Sequence, residues 1–210
     1  MVWAIELTEL AKRKHRGKFI CIEGIDGCGK TTQAKMLVRN LREKDYDAVY
    51  TTEPSAGKVG ALIRGFVLSR KSRVPIALEA LLFAADRVDH VETDVEPLLK
   101  QGKVVVCDRY LFSSLAYQGA AGLDLHWMNC INKFALKPDV TLFLDVSPDV
   151  AHSRLKRKKS VMENLQYLVK VRSAYLSLVE QERMVTLDGN KSIDEVARNV
   201  LNMVLKELKS

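Results

Sequence analysis

Between Gly24 and Thr32 the chain reads GIDGCGKTT, which places Gly24, Gly29, Lys30 and Thr31 at the fixed positions of G-x-x-x-x-G-K-[ST]. Gly24, Gly27 and Gly29 permit turns that other residues resist, so that successive N–H groups converge on a phosphate at the start of a helix. Lys30 at that spacing bridges the outer phosphates of a nucleoside triphosphate, and the Thr31 hydroxyl is a ligand for Mg²⁺. Context gives the match its force: Ile20 to Glu23 read as a strand and Thr32 to Lys44 as a helix, the flanks a phosphate loop requires. A glycine turn that only joins strand to helix is the bland alternative, and those flanks weigh against it.

The elements that must carry this loop alternate along the chain. Short β-branched runs at 18–23, 48–52, 103–108, 140–146 and 184–189 read as strands. Amphipathic stretches at 30–44, 57–70, 76–101, 112–136, 148–158, 161–182 and 192–209 read as helices. Several strands are continuous apolar runs, the pattern of strands covered on both faces, which predicts a parallel sheet wrapped by helices with right-handed crossovers. Ligands of such sheets sit at the carboxyl ends of the strands, so the residues that follow each strand are the candidates for chemistry.

Composition sets the outer limits. The 210 residues, 47% hydrophobic and 28% charged, suit one domain with a full core. No apolar run reaches the roughly 18 residues of a membrane span, and the N-terminus lacks a secretory pattern, so a cytoplasmic protein is expected. The four cysteines, Cys21, Cys28, Cys107 and Cys130, include no C-x-x-C pair and read as reduced, mostly buried thiols. An excess of 33 basic over 26 acidic residues favours anionic partners. The basic clusters at 11–18 and 68–73 read as solvated faces and lack the interleaved aromatics of single-strand binders, which weighs against a nucleic-acid partner. Residues 1–17 read as a basic N-terminal extension, with a candidate helix at 3–16, ahead of an expected single domain at 18–210.

The other strand ends narrow the class of triphosphate user. Glu53 and Pro54 follow the second strand, Asp108 and Arg109 the third, and the helix between them carries Phe83 and Arg87 four residues apart on one face. The N-K-x-D sequence of guanine-binding switches is absent, and the chain lacks the further motifs of a motor ATPase.

GIDGCGKTT, TEP, LLFAADR and DRYLFSSLAYQGA, in that order and spacing, resemble the thymidylate kinase family, and the similarity runs from about Lys18 to the C-terminus. The resemblance implies an α/β, three-layer P-loop NTPase fold with a five-stranded parallel sheet, and transfer of the ATP γ-phosphate to dTMP for dTTP synthesis. It implies ATP contacts from Gly24, Ile25, Asp26, Gly27, Cys28, Gly29, Lys30, Thr31 and Thr32, with the backbone of the LDGN turn, Leu187 to Asn190, along the adenine. Phe83 is then expected to stack on thymine and Arg87 to donate to its O4, a donor that suits thymine or uracil and opposes the amino group of cytosine. Asp26 accepts from the sugar 3′-OH, Arg109 and Arg64 hold the acceptor phosphate, and Glu53 organises these arginines and a water near the metal. Asp108 holds Mg²⁺ through water or orients Arg109. Ser113, Ser114, Tyr117 and Gln118 line the acceptor site, Tyr117 filling the space of a ribose 2′-OH and Gln118 reaching the pyrimidine or sugar edge.

Gly27 stands where other members keep a basic residue. In the bacterial and archaeal kind a lid supplies that charge, here expected at about 153–163 with Arg154 and Arg157 meeting the transferring phosphoryl. The chain departs from the family pattern at Thr52, where many members have arginine, and at Ser160, Val161 and Met162, where an Asp-Arg pair is usual. A homodimer is the expected assembly. Three rival readings stay open on the sequence: a same-fold kinase for dUMP, UMP or a deoxynucleoside, a non-catalytic ATP-dependent binding protein and, ranked last, nucleic-acid binding through the basic N-terminal helix.

Overall fold

The computed structural model describes residues 17–69, 73–155, 164–182 and 184–209. The expected N-terminal helix, Arg157 and most of the expected lid lie outside them. Five parallel strands, β1 (Lys18–Glu23), β2 (Ala48–Thr52), β3 (Val104–Asp108), β4 (Val140–Asp145) and β5 (Val185–Asp188), form one sheet in the order β2-β3-β1-β4-β5. In β1, Ile20 lies opposite Val106 of β3 and Val140 of β4, so the apolar runs of the central strands face helices on both sides. All five residues of β3 are buried. Each strand falls within a residue or two of its expected range.

The helices are α1 (Lys30–Arg42), α2 (Lys58–Leu62), α3 (Ile76–His90), α4 (Glu96–Lys100), α5 (Leu111–Ala120), α6 (Leu125–Ile131), α7 (Pro148–Arg154), α8 (Leu165–Glu182) and α9 (Ile193–Leu208). α2 runs on as a widened turn over Ile63–Leu68, and a second widened turn over Val91–Val95 joins α3 to α4. There Pro97 brings no amide to the ladder, and the wider register accommodates the loss. The continuous helix expected over 112–136 is broken: Gly122 takes φ 98° and Asp124 caps the next helix by accepting from the Trp127 amide at 2.8 Å.

β1 and β4 are neighbours whose onward connections leave toward opposite edges of the sheet, which opens a crevice at their carboxyl ends. The glycine loop sits in that crevice. On the sheet face that carries Glu23, Phe19 meets Tyr110 edge-on at 5.0 Å and Phe143 stacks on Tyr175 at 5.0 Å. Cys21, Cys28 and Cys107 are buried and Cys130 is exposed, all as free thiols.

Candidate active site

Lys30 opens α1 directly after Gly29, whose φ of 100° places it in the left-handed region. The Lys30 side chain is buried, and its ammonium donates to the Ile25 carbonyl at 2.7 Å. The Ile25 side chain belongs to the core, leaving only its backbone to the loop. Gly27, at φ 83°, lies against α7: a Cβ there would stand 2.1 Å from the Ala151 carbonyl oxygen. No side chain fits at that position without moving backbone, so a basic residue is sterically excluded from this part of the loop. A cavity of about 590 Å³ over the loop is bordered by Arg109, Arg154 and the start of α9. Cys28 and Thr32 line it with the loop backbone.

At the entrance of α1, the Thr31 hydroxyl donates to Asp108 Oδ2 at 2.5 Å. The second carboxylate oxygen, Oδ1, is buried and has no hydrogen-bond partner. Tyr50 reaches Oδ2 at 3.4 Å; burial and the adjacent carboxylate push its pKa up to about 12, so it remains a neutral donor. A hydroxyl and a carboxylate with a free lone pair, beside a phosphate loop, form a donor set that suits a hard divalent cation completed by phosphates and water. Among the described residues no cluster of three or more His, Cys, Asp or Glu side chains offers a metal site independent of such a ligand.

Arg109 follows β3 with φ 70°, a conformation that costs a non-glycine residue of the order of 1–3 kcal/mol and is kept where surrounding structure over-determines it. The turn swings its guanidinium back over β1. There it meets Asp26 Oδ1 at 2.5 Å and Ser113 Oγ at 3.1 Å, and lies 5.1 Å above the Tyr117 ring. The Tyr117 hydroxyl accepts from the Asp26 amide at 2.8 Å and donates to Asp26 Oδ2 at 3.0 Å. Burial works to raise the pKa of Asp26, but the charges of Arg109 and Lys30 and the Tyr117 hydrogen bond hold it below the ordinary value. Expected residues from the loop, the end of β3 and α5 thus converge on one cluster.

Beneath it is a residue the sequence reading passed over. Glu23, the fully buried last residue of β1, accepts from the Tyr110 and Ser113 amides at the start of α5 at 2.9 and 3.2 Å. Its other oxygen takes the hydroxyls of Ser113 at 2.6 Å and Tyr175 at 2.9 Å. Burial raises its pKa against these donors and Arg109. A carboxylate that ends an apolar strand beside a phosphate loop was the available signal.

A second cluster lies between α3 and α5. The buried Arg87 donates to Glu53 at 2.7 Å and Ser114 at 3.0 Å, also donates to Asn132, and lies 5.2 Å from the Tyr110 ring centroid. Phe83, one turn before it, is half-buried. Gln118, one turn after Ser114, donates to Glu79 at 2.7 Å.

A match to the thymidylate kinase family model covers residues 22–200. The chain is 44% identical to the probable thymidylate kinase of Pyrococcus abyssi over 201 residues, 92% of this chain and 98% of that one. It is 44% identical to the probable thymidylate kinase of Methanocaldococcus jannaschii over 184 residues, covering 87% and 93%. A bacterial relative, the thymidylate kinase of Caldanaerobacter subterraneus, is 39% identical over 203 residues, covering 92% and 98%. The chain belongs to the thymidylate kinase family.

Against what the thymidylate kinase resemblance implied, several side chains take other partners. Asp108 does not turn to Arg109 but to Thr31, because the left-handed turn at Arg109 sends the two side chains apart. Glu53 serves Arg87 and His90 rather than Arg109 and Arg64, its oxygens lying 2.7 and 3.3 Å from them. Arg64 caps the loop after β2, donating to the Pro54 and Ser55 carbonyls at 2.9 and 2.6 Å. The Asn190 side chain is exposed and folds onto Asp188, while Gly189 of the same turn and Lys191 border the cavity. Thr52 uses its hydroxyl to bind the Asp108 carbonyl at 2.9 Å. Arg73, at the end of a cluster read as solvated, forks onto Glu79. His90, three residues beyond Arg87 on the same helix, is fully buried between Glu53 and Thr51. Arg154 borders the cavity, its guanidinium 3.5 Å from the Gly189 carbonyl.

Proposed function

We propose that this thymidylate kinase family member transfers the γ-phosphate of ATP to dTMP, giving ADP and dTDP for dTTP synthesis. The observation that carries the reading is the Arg109–Asp26 pair, which ties the end of β3 to the phosphate loop and sets an acceptor-side cation beside the donor cradle. In this reading the loop amides and Lys30 hold the ATP phosphates. Thr31 and Asp108 hold Mg²⁺, which when bound neutralises charge on the phosphate oxygens. Arg109 orients the acceptor phosphate with a fork, with Arg64 as a second cation nearby. Phe83, Arg87, Ser114 and Gln118 face the base, while Asp26, Ser113 and Tyr117 face the sugar. Arg154, and Arg157 in the lid at about 153–163, add charge to the transferring group.

The acceptor phosphate is already ionised at neutral pH, so positioning and charge neutralisation suffice without a general base. The unit is a single domain at 18–210 with a basic extension at 1–17. It acts in the cytoplasm as a homodimer, and the exposed Leu62, Leu78 and Leu81 of α2 and α3 are the apolar side chains that favour pairing. Among the described residues no helix is long and apolar enough to cross a membrane.

Coupled ADP release with ATP, Mg²⁺ and separate dTMP, dUMP, UMP, CMP, AMP or thymidine tests the proposal. The expected result is a clear lead for dTMP that Arg109→Ala removes. Acceptor-independent ADP release, or a lead for another acceptor, overturns it.

A further inference from the structure

Glu79, Phe83 and Arg87 are spaced four apart on α3 and so share one face, which packs toward the face of α5 that carries Ser114 and Gln118. Gln118 and Glu79 are both buried, at 2% and 0% exposure. The Gln118 amide nitrogen donates to Glu79 Oε1 at 2.7 Å, and Arg73 holds the same carboxylate with two hydrogen bonds of 2.8 and 2.9 Å. Arg73 is itself fixed 5.0 Å from the centroid of the Tyr167 ring, and the Tyr167 hydroxyl donates to the Tyr117 carbonyl.

A carboxylate oxygen accepts hydrogen bonds, and the two of Glu79 face three donors, two on Arg73 and one on Gln118. The end of the Gln118 amide that faces Glu79 is therefore the nitrogen, and the carbonyl oxygen must be the end left over. That oxygen is buried and has no hydrogen-bond partner. On the facing helix Arg87 is in the complementary position: its terminal nitrogens are taken by Glu53, Ser114 and Asn132, while its buried Nε has no partner. The facing helices α3 and α5 thus hold one buried donor and one buried acceptor without partners, with Phe83 between Glu79 and Arg87 along α3. The imide edge of thymine or uracil offers the matching pair, a ring N–H and a carbonyl. Cytosine offers the reverse, a ring acceptor and an amino donor, and leaves both buried groups opposed.

We infer that Arg73 and Glu79 are positioning residues for base selection: they fix the Gln118 amide with its oxygen toward the acceptor base and thereby set the preference for an imide over an amino-pyrimidine. The inference rests on the proposed dTMP kinase reading and deepens it, since neither residue belongs to the set that the resemblance implied.

The test is Glu79→Gln in the full chain, with dTMP and dCMP compared by steady-state kinetics and by calorimetric titration. The new amide donates as well as accepts, so it releases the Gln118 amide to turn over with little change of shape. The expected result is about a tenfold rise in the dTMP KM and Kd, and about a tenfold or greater fall in dTMP-over-dCMP preference. The kcat at saturating dTMP and the KM for ATP stay close to wild type. Arg73→Met moves both parameters the same way by a smaller factor. The exchanged double variant E79Q/Q118E keeps net charge, keeps a donor facing an acceptor, and again leaves an acceptor toward the base; it recovers the dTMP preference. An unchanged preference in Glu79→Gln, with only a lower melting temperature, overturns the inference and leaves a structural buttress. Failure of the wild-type chain to use dTMP in the same assay overturns the proposed function itself.

Discussion

The Arg109 guanidinium lies 2.5 Å from the Asp26 carboxylate, 83 residues away, while Asp108, its neighbour in the chain, turns to Thr31. This divergence separates two jobs that adjacent residues could otherwise share. Asp108 meets Thr31 at the start of α1 and Arg109 lies over Tyr117, so in the proposed reading the first serves the donor side and the second the acceptor side. Replacement of Arg109 by alanine is expected to lower kcat about a hundredfold or more, as when other preorganised donors to a developing charge are lost. Lysine is expected to recover little of it, because a compact ammonium reproduces neither the fork to Asp26 and Ser113 nor the stacking over Tyr117. Steady-state ADP release checks both, and a lysine variant at wild-type rate sinks the clamp.

The same pair predicts a pH dependence. The charges of Arg109 and Lys30 outweigh burial and hold the Asp26 carboxyl below its ordinary range in the folded protein. A depressed carboxylate contributes stability that is fully present above the unfolded value and is lost as pH falls through the folded one. Melting temperatures of the wild-type chain and Asp26→Asn, followed from pH 6 downward, are therefore expected to converge below about pH 4, the ordinary range of an aspartate. A gap that stays constant through this range contradicts the assigned ion pair.

How much of this could be read from the chain depends on the range of the interaction. The loop from Gly24 to Thr31 was legible because local turn chemistry and the flanking elements determine it, and the continuous apolar runs of β1 and β3 announced buried parallel strands. The partners of each charged side chain were not. Glu53 was placed correctly at a strand end, but nothing local says that its oxygens go to Arg87 and His90, 34 and 37 residues on. Glu23 was missed because its role appears only when α5, 87 residues away, presents its first amides to β1. At Arg109 the obstacle was a backbone angle: an L-residue at φ 70° is uncommon, and an ordinary extended continuation would have aimed the guanidinium elsewhere. The break after α5 had its signals in Gly122 and Asp124, which an amphipathic pattern on both sides concealed.

The Thr31–Asp108 pair predicts how the protein responds to magnesium. Both groups are oxygen donors beside the loop, and Asp108 Oδ1 is free of hydrogen bonds. Asp108→Asn and Thr31→Val are each expected to shift the Mg²⁺ concentration for half-maximal turnover upward by about tenfold, while Thr31→Ser, which keeps the hydroxyl, stays near wild type. A titration of rate against Mg²⁺ at fixed ATP checks this. Equal Mg²⁺ dependence in all four proteins excludes the pair as the metal site.

Gly27 provides a prediction that separates backbone strain from a steric contact. Its φ of 83° disfavours any L side chain, and a Cβ there would lie 2.1 Å from the Ala151 carbonyl oxygen in α7. Gly122 has nearly the same requirement, φ 98°, but nothing within 4 Å of the equivalent atom. Gly122→Ala is expected to cost about 1 kcal/mol from strain alone, and Gly27→Ala about 2 kcal/mol or more, since packed backbone must also move. Equilibrium denaturation measures the difference. The displaced element is α7, which ends at Arg154 beside the phosphate cavity, so Gly27→Ala is also expected to lower kcat at least tenfold while Gly122→Ala leaves it unchanged. If the two alanine variants match in stability and rate, contact between the loop and α7 does not position the arginine, and the absence of a side chain at Gly27 has no bearing on the charge supplied from α7.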